Sequence, residues 1–395
     1  MAVSPKKKKG KTDCFNCPVG RKKKKNFLKL PPAPKDARIL VICPRSKIYK
    51  QWVSSWFKKH SIDNYYIMHD VMCKGAIENE KDYNTRVMHC HSVMKKLLDD
   101  GEFTQVIALG LTSYRMYMAE RYEKKYCYER VRGYTFPDKQ NNVWVSVVTK
   151  PTKDSITGNG NTYKDVEKLE LVLLRKDMTA CMKYTDLPLP DWTNHIRDYC
   201  IVVDELGALK ILAKIVEDRE FTDYVAFDFE TTGLKPYAEG HRIVSLSIAP
   251  SDTCSYSFLM YDSLKPLIRR FLTNRNIPKI AANNGFEYKW AKQDLGVNVN
   301  GLVFDVVLAQ HLLDNRKAIC SIKFQAFRRY GIFEYDKHMS KYLVPEDVET
   351  ENYGDNAINN IHNAPRGSLL FYGAMDSLIT YRLGRDMMKE LHYEY

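Results

Sequence analysis

Two carboxylates, Asp228 and Glu230, stand two residues apart at the end of the apolar run Tyr224-Val225-Ala226-Phe227. The run reads as a buried strand, and Thr231-Thr232-Gly233 reads as the turn that ends it. Side chains two apart on a strand share a face. Both acids therefore aim at one spot, where two bare negative charges repel unless cations sit between them. A divalent metal site resolves that conflict most simply; a strand end carrying two solvated acids is the plainer alternative.

Two later segments supply what such a site lacks. Ile280-Ala281-Ala282-Asn283-Asn284-Gly285-Phe286-Glu287 reads as a short strand running into a helix. Glu287 falls in the first turn, where the helix dipole favours an anion. Tyr372 and Asp376 stand four apart in a stretch of helical spacing, on one helix face. Four acids offering only hard oxygen ligands suit Mg²⁺ or Mn²⁺ rather than Zn²⁺. Two such ions about 4 Å apart can activate a water, hold a phosphate and stabilise a leaving oxygen. A tyrosine at the edge of the site can orient the water. Asp305 is a further acid in this region, but it opens a helical tract and reads first as an N-cap.

These three segments, in this order, resemble the exonuclease motifs of the DEDD family in its tyrosine subclass, as in the proofreading domain of family A DNA polymerases. The resemblance covers residues 220–395 and implies a ribonuclease H-like mixed sheet with 3′→5′ exonuclease activity. It implies that Asp228 bridges two metal ions and that Glu230 and Asp376 ligate the ion on the nucleophile's side. It further implies that Tyr372 holds the water and that Glu287 supports the second ion. The family usually has Asp where this chain has Glu287, so the second ion is either weakened or accommodated by a backbone shift.

The elements that must position these residues are legible as periodicity. Arg242 to Ala249 alternates as a strand, and Cys254 to Met260 reads as its hairpin partner. Helices are expected around 262–273, 284–295, 305–314 and 367–391, with one strand returning near Lys279. Strands first and helices later fit a mixed sheet covered by helices. Phe286, Tyr288 and Trp290 are candidates for stacking on nucleic-acid bases, with core packing as the plainer reading.

The N-terminal half carries a different chemistry. Of ten cysteines, four are spaced as a set: Cys14-x-x-Cys17, then Cys73 and Cys90 with sixteen residues between them. Such a set can hold zinc or an iron–sulfur cluster, or it is four unligated thiols in a reducing cytosol. Ala37 to Cys43 reads as a first core strand, Tyr66 to Cys73 as a second that ends at the third cysteine, and Cys90 as the opening of a helix. Phe103 to Gly110 and Val143 to Thr149 read as further strands.

That succession resembles the iron–sulfur uracil-DNA glycosylases over residues 10–160. The resemblance implies a [4Fe–4S] cluster on Cys14, Cys17, Cys73 and Cys90, with Zn²⁺ as the alternative. It also exposes a loss. The loop after the first strand, Cys43-Pro44-Arg45-Ser46-Lys47, has no carboxylate, and the family's His-Pro-Ser motif stands here as Lys150-Pro151-Thr152. The expectation is a degenerate glycosylase fold kept for structure or DNA contact.

A chain of 395 residues holds two domains of ordinary size. The expected organisation is a basic tail over 1–30, a glycosylase-like α/β domain over 31–185, a proline-marked linker over 186–215 and the exonuclease over 216–395. A net charge of +13 favours a polyanionic partner. No apolar run approaches the roughly 20 residues that span a membrane, and no signal peptide is evident. An intracellular, cytoplasmic protein is expected, with a phage-infected bacterial host as one setting and nuclear import the other reading of the basic blocks in the tail.

The chain stops about twenty residues after Asp376 and shows no polymerase motifs. Together these features imply a DNA 3′→5′ exonuclease that serves a separate DNA polymerase chain of phage type, or a fragment of a longer one. A non-catalytic scaffold that joins DNA to a polymerase and a working uracil-DNA glycosylase are the rival readings. RNA is the other possible substrate.

Overall fold

The computed structural model describes residues 33–71, 80–157, 164–217, 223–345 and 357–394. The chain divides into two units, Met1–Pro190 and Asp191–Tyr395.

The first unit is built on β1 (Ile39–Cys43), α1 (Lys47–Lys59), β2 (Tyr65–His69), α2 (Glu80–Asp100), β3 (Gln105–Leu109), α3 (Gly110–Met118), β4 (Thr135–Asp138), β5 (Val143–Val148) and α4 (Lys164–Met182). Its sheet runs β2-β1-β3-β5-β4. The first four strands in that order are parallel and β4 is antiparallel to β5. β1, β3 and β5 are buried along their whole length. Continuous apolar runs, rather than alternation, are what a parallel sheet covered on both faces requires.

The segment after β5 is pinned from two sides. Tyr49 of α1 donates to the Pro151 carbonyl at 2.8 Å, and Asp177 of α4 accepts from the Thr149 amide and hydroxyl at 2.8 and 2.6 Å. Gly110, at φ 83°, follows β3 and opens α3 where an added Cβ would meet Lys150 Cβ at 2.5 Å. Lys150 therefore stands at the carboxyl edge of the sheet with little freedom in its backbone.

Two expectations for this unit need correction. The second strand ends at His69, short of the third cysteine. Cys90 does not open a helix: it lies buried in the middle of α2, which begins at Glu80. Cys14, Cys17 and Cys73 lie outside the described residues.

The second unit consists of β6 (Cys200–Val202), α5 (Glu205–Glu217), β7 (Val225–Thr231), β8 (Ile243–Ser251), β9 (Cys254–Leu259), α6 (Lys265–Thr273), β10 (Lys279–Ala281), α7 (Asn284–Asp294), β11 (Leu302–Asp305), α8 (Val306–Leu313), α9 (Ile322–Tyr330) and α10 (Arg366–Leu391). The sheet order is β11-β10-β7-β8-β9-β6, antiparallel across β7-β8-β9 and parallel elsewhere. The hairpin, the returning strand and the four expected helices are all present. The expected linker over 186–215 is not: β6 is an edge strand of this sheet, and Ala208 and Leu212 of α5 are fully buried in its core. β11 and α9 also escaped the sequence reading, one for brevity and the other because its nine residues carry a mixed pattern.

Alternation along β7 sorts its side chains into two cores. Val225, Phe227 and Phe229 join the cluster formed with α5, α6 and α7, whereas Ala226 joins the cluster under α10. Asp228 and Glu230 are in phase with Ala226, so they emerge on the face that α10 covers. Small residues let that helix come close. Ser255 and Ser377 hydroxyls meet at 2.7 Å. A Cβ on Gly384 would lie 2.4 Å from Ile280 Cδ1.

Candidate metal centre

Packing α10 against β7 brings Asp376 to Asp228 and Glu230. The three carboxylates offer ligand atoms that all lie within 4.8 Å of one another. They line an open cleft of about 470 Å³ with Glu287, Tyr372, Phe286 and Lys323. Glu230 is 8%, Asp376 3% and Glu287 1% exposed, while Asp228 is partly buried.

Glu287 comes from the first turn of α7, as its position in the sequence implied. β7 runs past the end of β10, whose pairing with β7 is confined to Val225 and Ala226. Beyond that point the Phe229 amide donates to the Glu287 carboxylate. Glu287 faces Asp228 and Glu230 electrostatically but stands outside the tight trio. Asp305 caps α8, accepting from Val307 and Leu308 amides at 2.9 and 3.1 Å. The same carboxylate accepts from Asn283 and Asn284 amides at 3.2 and 2.8 Å, so one residue fastens the starts of α7 and α8 together. Four such bonds leave Asp305 a structural acid.

The electrostatics of the cluster are those of a site built for cations. Burial pushes the Asp228 carboxyl up to about 8, and the Asp376 charge adds to that rise. Burial, then the neighbouring acids, likewise raise Glu230 and Glu287 far above the carboxylate range. Buried polar atoms are nearly always hydrogen-bonded, yet Glu230 Oε1 and Glu287 Oε2 are buried and accept no hydrogen bond. Hard oxygen donors, crowded and unsatisfied, fit Mg²⁺ or Mn²⁺.

Asp376 is the exception, because both of its oxygens are engaged. Lys323 of α9 donates to Oδ2 at 2.7 Å, and the Tyr335 hydroxyl donates to Oδ1. Tyr372, one turn before Asp376 on α10, lies beside the same carboxylate, and burial first, then Asp376, lifts its hydroxyl well above the ordinary tyrosine value. Lys323 and Tyr335 were not singled out from the sequence. Ser321-Ile322-Lys323 does carry an N-cap signal, since the Ser321 hydroxyl accepts from the Phe324 amide at 3.3 Å. Nothing local to Tyr335 marks it.

The aromatic candidates divide. Trp290 is fully buried in the core, and Tyr288 is exposed with its hydroxyl on Asn298 at 2.9 Å. Phe286 alone of the three lines the cleft.

Comparison with known proteins agrees with this location. Residues 201–392 match a family model described as 3'-5' exonuclease, so the second unit carries a 3′-5′ exonuclease domain. The DNA polymerase I of Chloroflexus aurantiacus is 25% identical over 190 residues, which is 46% of this chain and 19% of that protein. The chain thus spans about a fifth of that curated relative's length. Among solved structures, NrnC of Brucella melitensis is 22% identical, with 45% of this chain and 77% of that chain covered and a TM-score of 0.31. The catalytic core of RRP6 from Trypanosoma brucei, as the C496S mutant, is 15% identical, with 49% and 48% covered and a TM-score of 0.32. The EXO domain of Aedes aegypti Nibbler is 12% identical, with 53% and 94% covered and a TM-score of 0.34.

Proposed function

We propose that the 3′-5′ exonuclease domain of this chain removes nucleotides from DNA 3′ ends by two-metal hydrolysis, on a ribonuclease H-like sheet of the tyrosine subclass. Asp228, Glu230, Glu287 and Asp376 are the acids that hold the ions, and Tyr372 positions the water. One observation carries the reading. Buried carboxylates converge with oxygens unsatisfied on an open cleft, within the stretch that matches the exonuclease family.

Divalent ions held there supply an activated water and charge stabilisation at the phosphate and the leaving oxygen. The chain's own residues do the rest. Tyr372 orients the water in line with the scissile bond. The water oxygen bonds to phosphorus, the P–O3′ bond breaks with its electron pair on O3′, and O3′ takes up a proton. A nucleoside 5′-monophosphate leaves, and the shortened strand ends in a hydroxyl. Phe286 on the cleft wall offers a ring for the terminal base. Glu287 serves in place of an aspartate because it reaches its neighbours from the first turn of α7 while the Phe229 amide steadies it.

The relative among DNA polymerases supports DNA over RNA as substrate and a DNA polymerase as partner; that the partner is a separate chain of phage type we read from the sequence resemblance alone. We read the first unit as a glycosylase-like frame without glycosylase chemistry, grounded in its parallel sheet and in the lysine that stands at position 150. From the sequence resemblance alone we assign a [4Fe–4S] cluster to Cys14, Cys17, Cys73 and Cys90. Protein purified without oxygen should then absorb broadly at about 400 nm, and colourless protein containing zinc would overturn the assignment.

The decisive experiment is hydrolysis of a 5′-labelled, 3′-mismatched DNA primer with Mg²⁺ or Mn²⁺, wild type against Asp228→Ala/Glu230→Ala. A ladder shortening from the 3′ end, lost in the double variant, is expected. Absence of hydrolysis with either metal, with and without an added polymerase, would favour the scaffold.

A further inference from the structure

Four carboxylates and one ammonium line the cleft among its described residues. The ammonium, Lys323, is not on the element that carries its partner: it reaches across from α9 to Asp376 on α10 at 2.7 Å. Its side chain is 24% exposed whereas that of Asp376 is 4% exposed. Lys323 therefore sits at the cleft wall with open space beside it, and its flexible four-carbon stem can carry the charge elsewhere. Its ammonium also lies 5.0 Å from the Tyr372 ring centre and 5.9 Å from that of Tyr335, two further places where a cation is favoured.

We propose that Lys323 is a displaceable counter-ion of the metal centre. It holds Asp376 in place while the carboxylates are without a divalent ion, and it gives that carboxylate up when an ion binds. The idea rests on the metal-site reading above. A cation already hydrogen-bonded to one member of the trio repels a second cation brought to the same carboxylates. Lys323 thus lowers metal affinity while it supports the metal-free fold. Tyr335, neutral and on the other oxygen, keeps Asp376 aimed throughout and has no such conflict. Lys323 is a positioning residue in this scheme, acting through Asp376.

The test is Mn²⁺ binding by the full-length chain, followed by calorimetry and electron paramagnetic resonance without nucleic acid. Lys323→Met keeps the bulk of the stem and removes the charge; Lys323→Gln removes the charge and keeps a donor, in case the first variant folds poorly. Both should bind Mn²⁺ about tenfold more tightly than wild type. Their metal-free melting temperatures should fall, and the rise caused by Mn²⁺ should grow. Lys323→Arg, which keeps the charge, should bind as wild type does. Unchanged or weaker Mn²⁺ binding in both neutral variants would overturn the proposal. Asp376→Asn separates the two readings: if wild type binds no Mn²⁺ that this substitution weakens, it is the metal-site assignment that fails.

Discussion

Each unit buries acids, and the two treat them in opposite ways. In the first unit Asp138 accepts two bonds from Arg121, at 2.9 and 2.8 Å, one from Asn141 at 2.9 Å and one from the Tyr117 hydroxyl. Burial works to raise its carboxyl, but these donors, Arg121 foremost, hold it below the ordinary value. Asp177 is closed by Thr149. Asp70 is intermediate, since burial pushes it up to about 6 although the Val71 and Arg45 amides donate to it. In the second unit Glu230 and Glu287 are as deeply buried, yet each keeps an oxygen without a donor. A buried acid with partners holds a fold together, and one without them is a charge awaiting a counter-charge. That contrast separates structural from chemical carboxylates where burial alone does not, Asp376 excepted, whose oxygens are both engaged by Lys323 and Tyr335.

The contrast can be broken most directly by deletion. Asp228→Ala should lower the rate of primer hydrolysis on the order of 10³-fold or more while leaving the melting temperature of the metal-free protein intact or higher. A rate within tenfold of wild type would remove Asp228 from the chemistry. Asp138→Asn should do the reverse. Leaving the part-buried Arg121 without its anion should cost about 1–3 kcal/mol of stability, seen as an earlier denaturant midpoint of the first unit with hydrolysis unchanged.

Tyr372→Phe should slow turnover roughly 10- to 100-fold with little change in KM, because orienting a water acts on the reacting state rather than on binding. An equal loss in KM would assign the hydroxyl to substrate binding instead. A smaller effect distinguishes the two units by sign. Glu230→Gln, which removes a buried carboxyl that burial keeps protonated, should stabilise the metal-free second unit by about 1 kcal/mol, whereas neutralising Asp138 destabilises the first.

Acidity sharpens the same comparison. A carboxyl raised from 3.8 to about 8, as Asp228 is, keeps a proton in the folded chain that the unfolded chain has lost. Without metal, stability of the second unit should therefore fall as pH climbs through that window. Asp138, held low, contributes stability at neutral pH that is lost as acid protonates it. Mg²⁺ needs the bare carboxylates, so the rise in melting temperature it causes should grow from pH 5 to pH 8. A shift that is constant with pH would mean the ion binds elsewhere.

Much of this was legible in the chain itself. Strand alternation placed Asp228 and Glu230 on one face, helical spacing put Tyr372 with Asp376, and the N-cap reading of Asp305 holds with two extra amides attached. These are local periodicities, set by backbone geometry within a few residues, and they survive any packing that keeps the element. The boundary between the units was read too late: β6 and α5 belong to the second unit, and a three-residue edge strand leaves no periodicity to read.

Convergence was decided only by tertiary structure. Whether Glu287, Asp376 and the β7 acids meet depends on how α7 and α10 close over the sheet. That approach is set by glycine and serine contacts with no pattern of their own. The same holds for Lys323 and Tyr335, which reach Asp376 across 53 and 41 residues. Sequence names the residues able to ligate and the faces they occupy. The folded chain alone determines which of their oxygens are left without donors, because satisfaction of a buried charge is a property of everything packed around it.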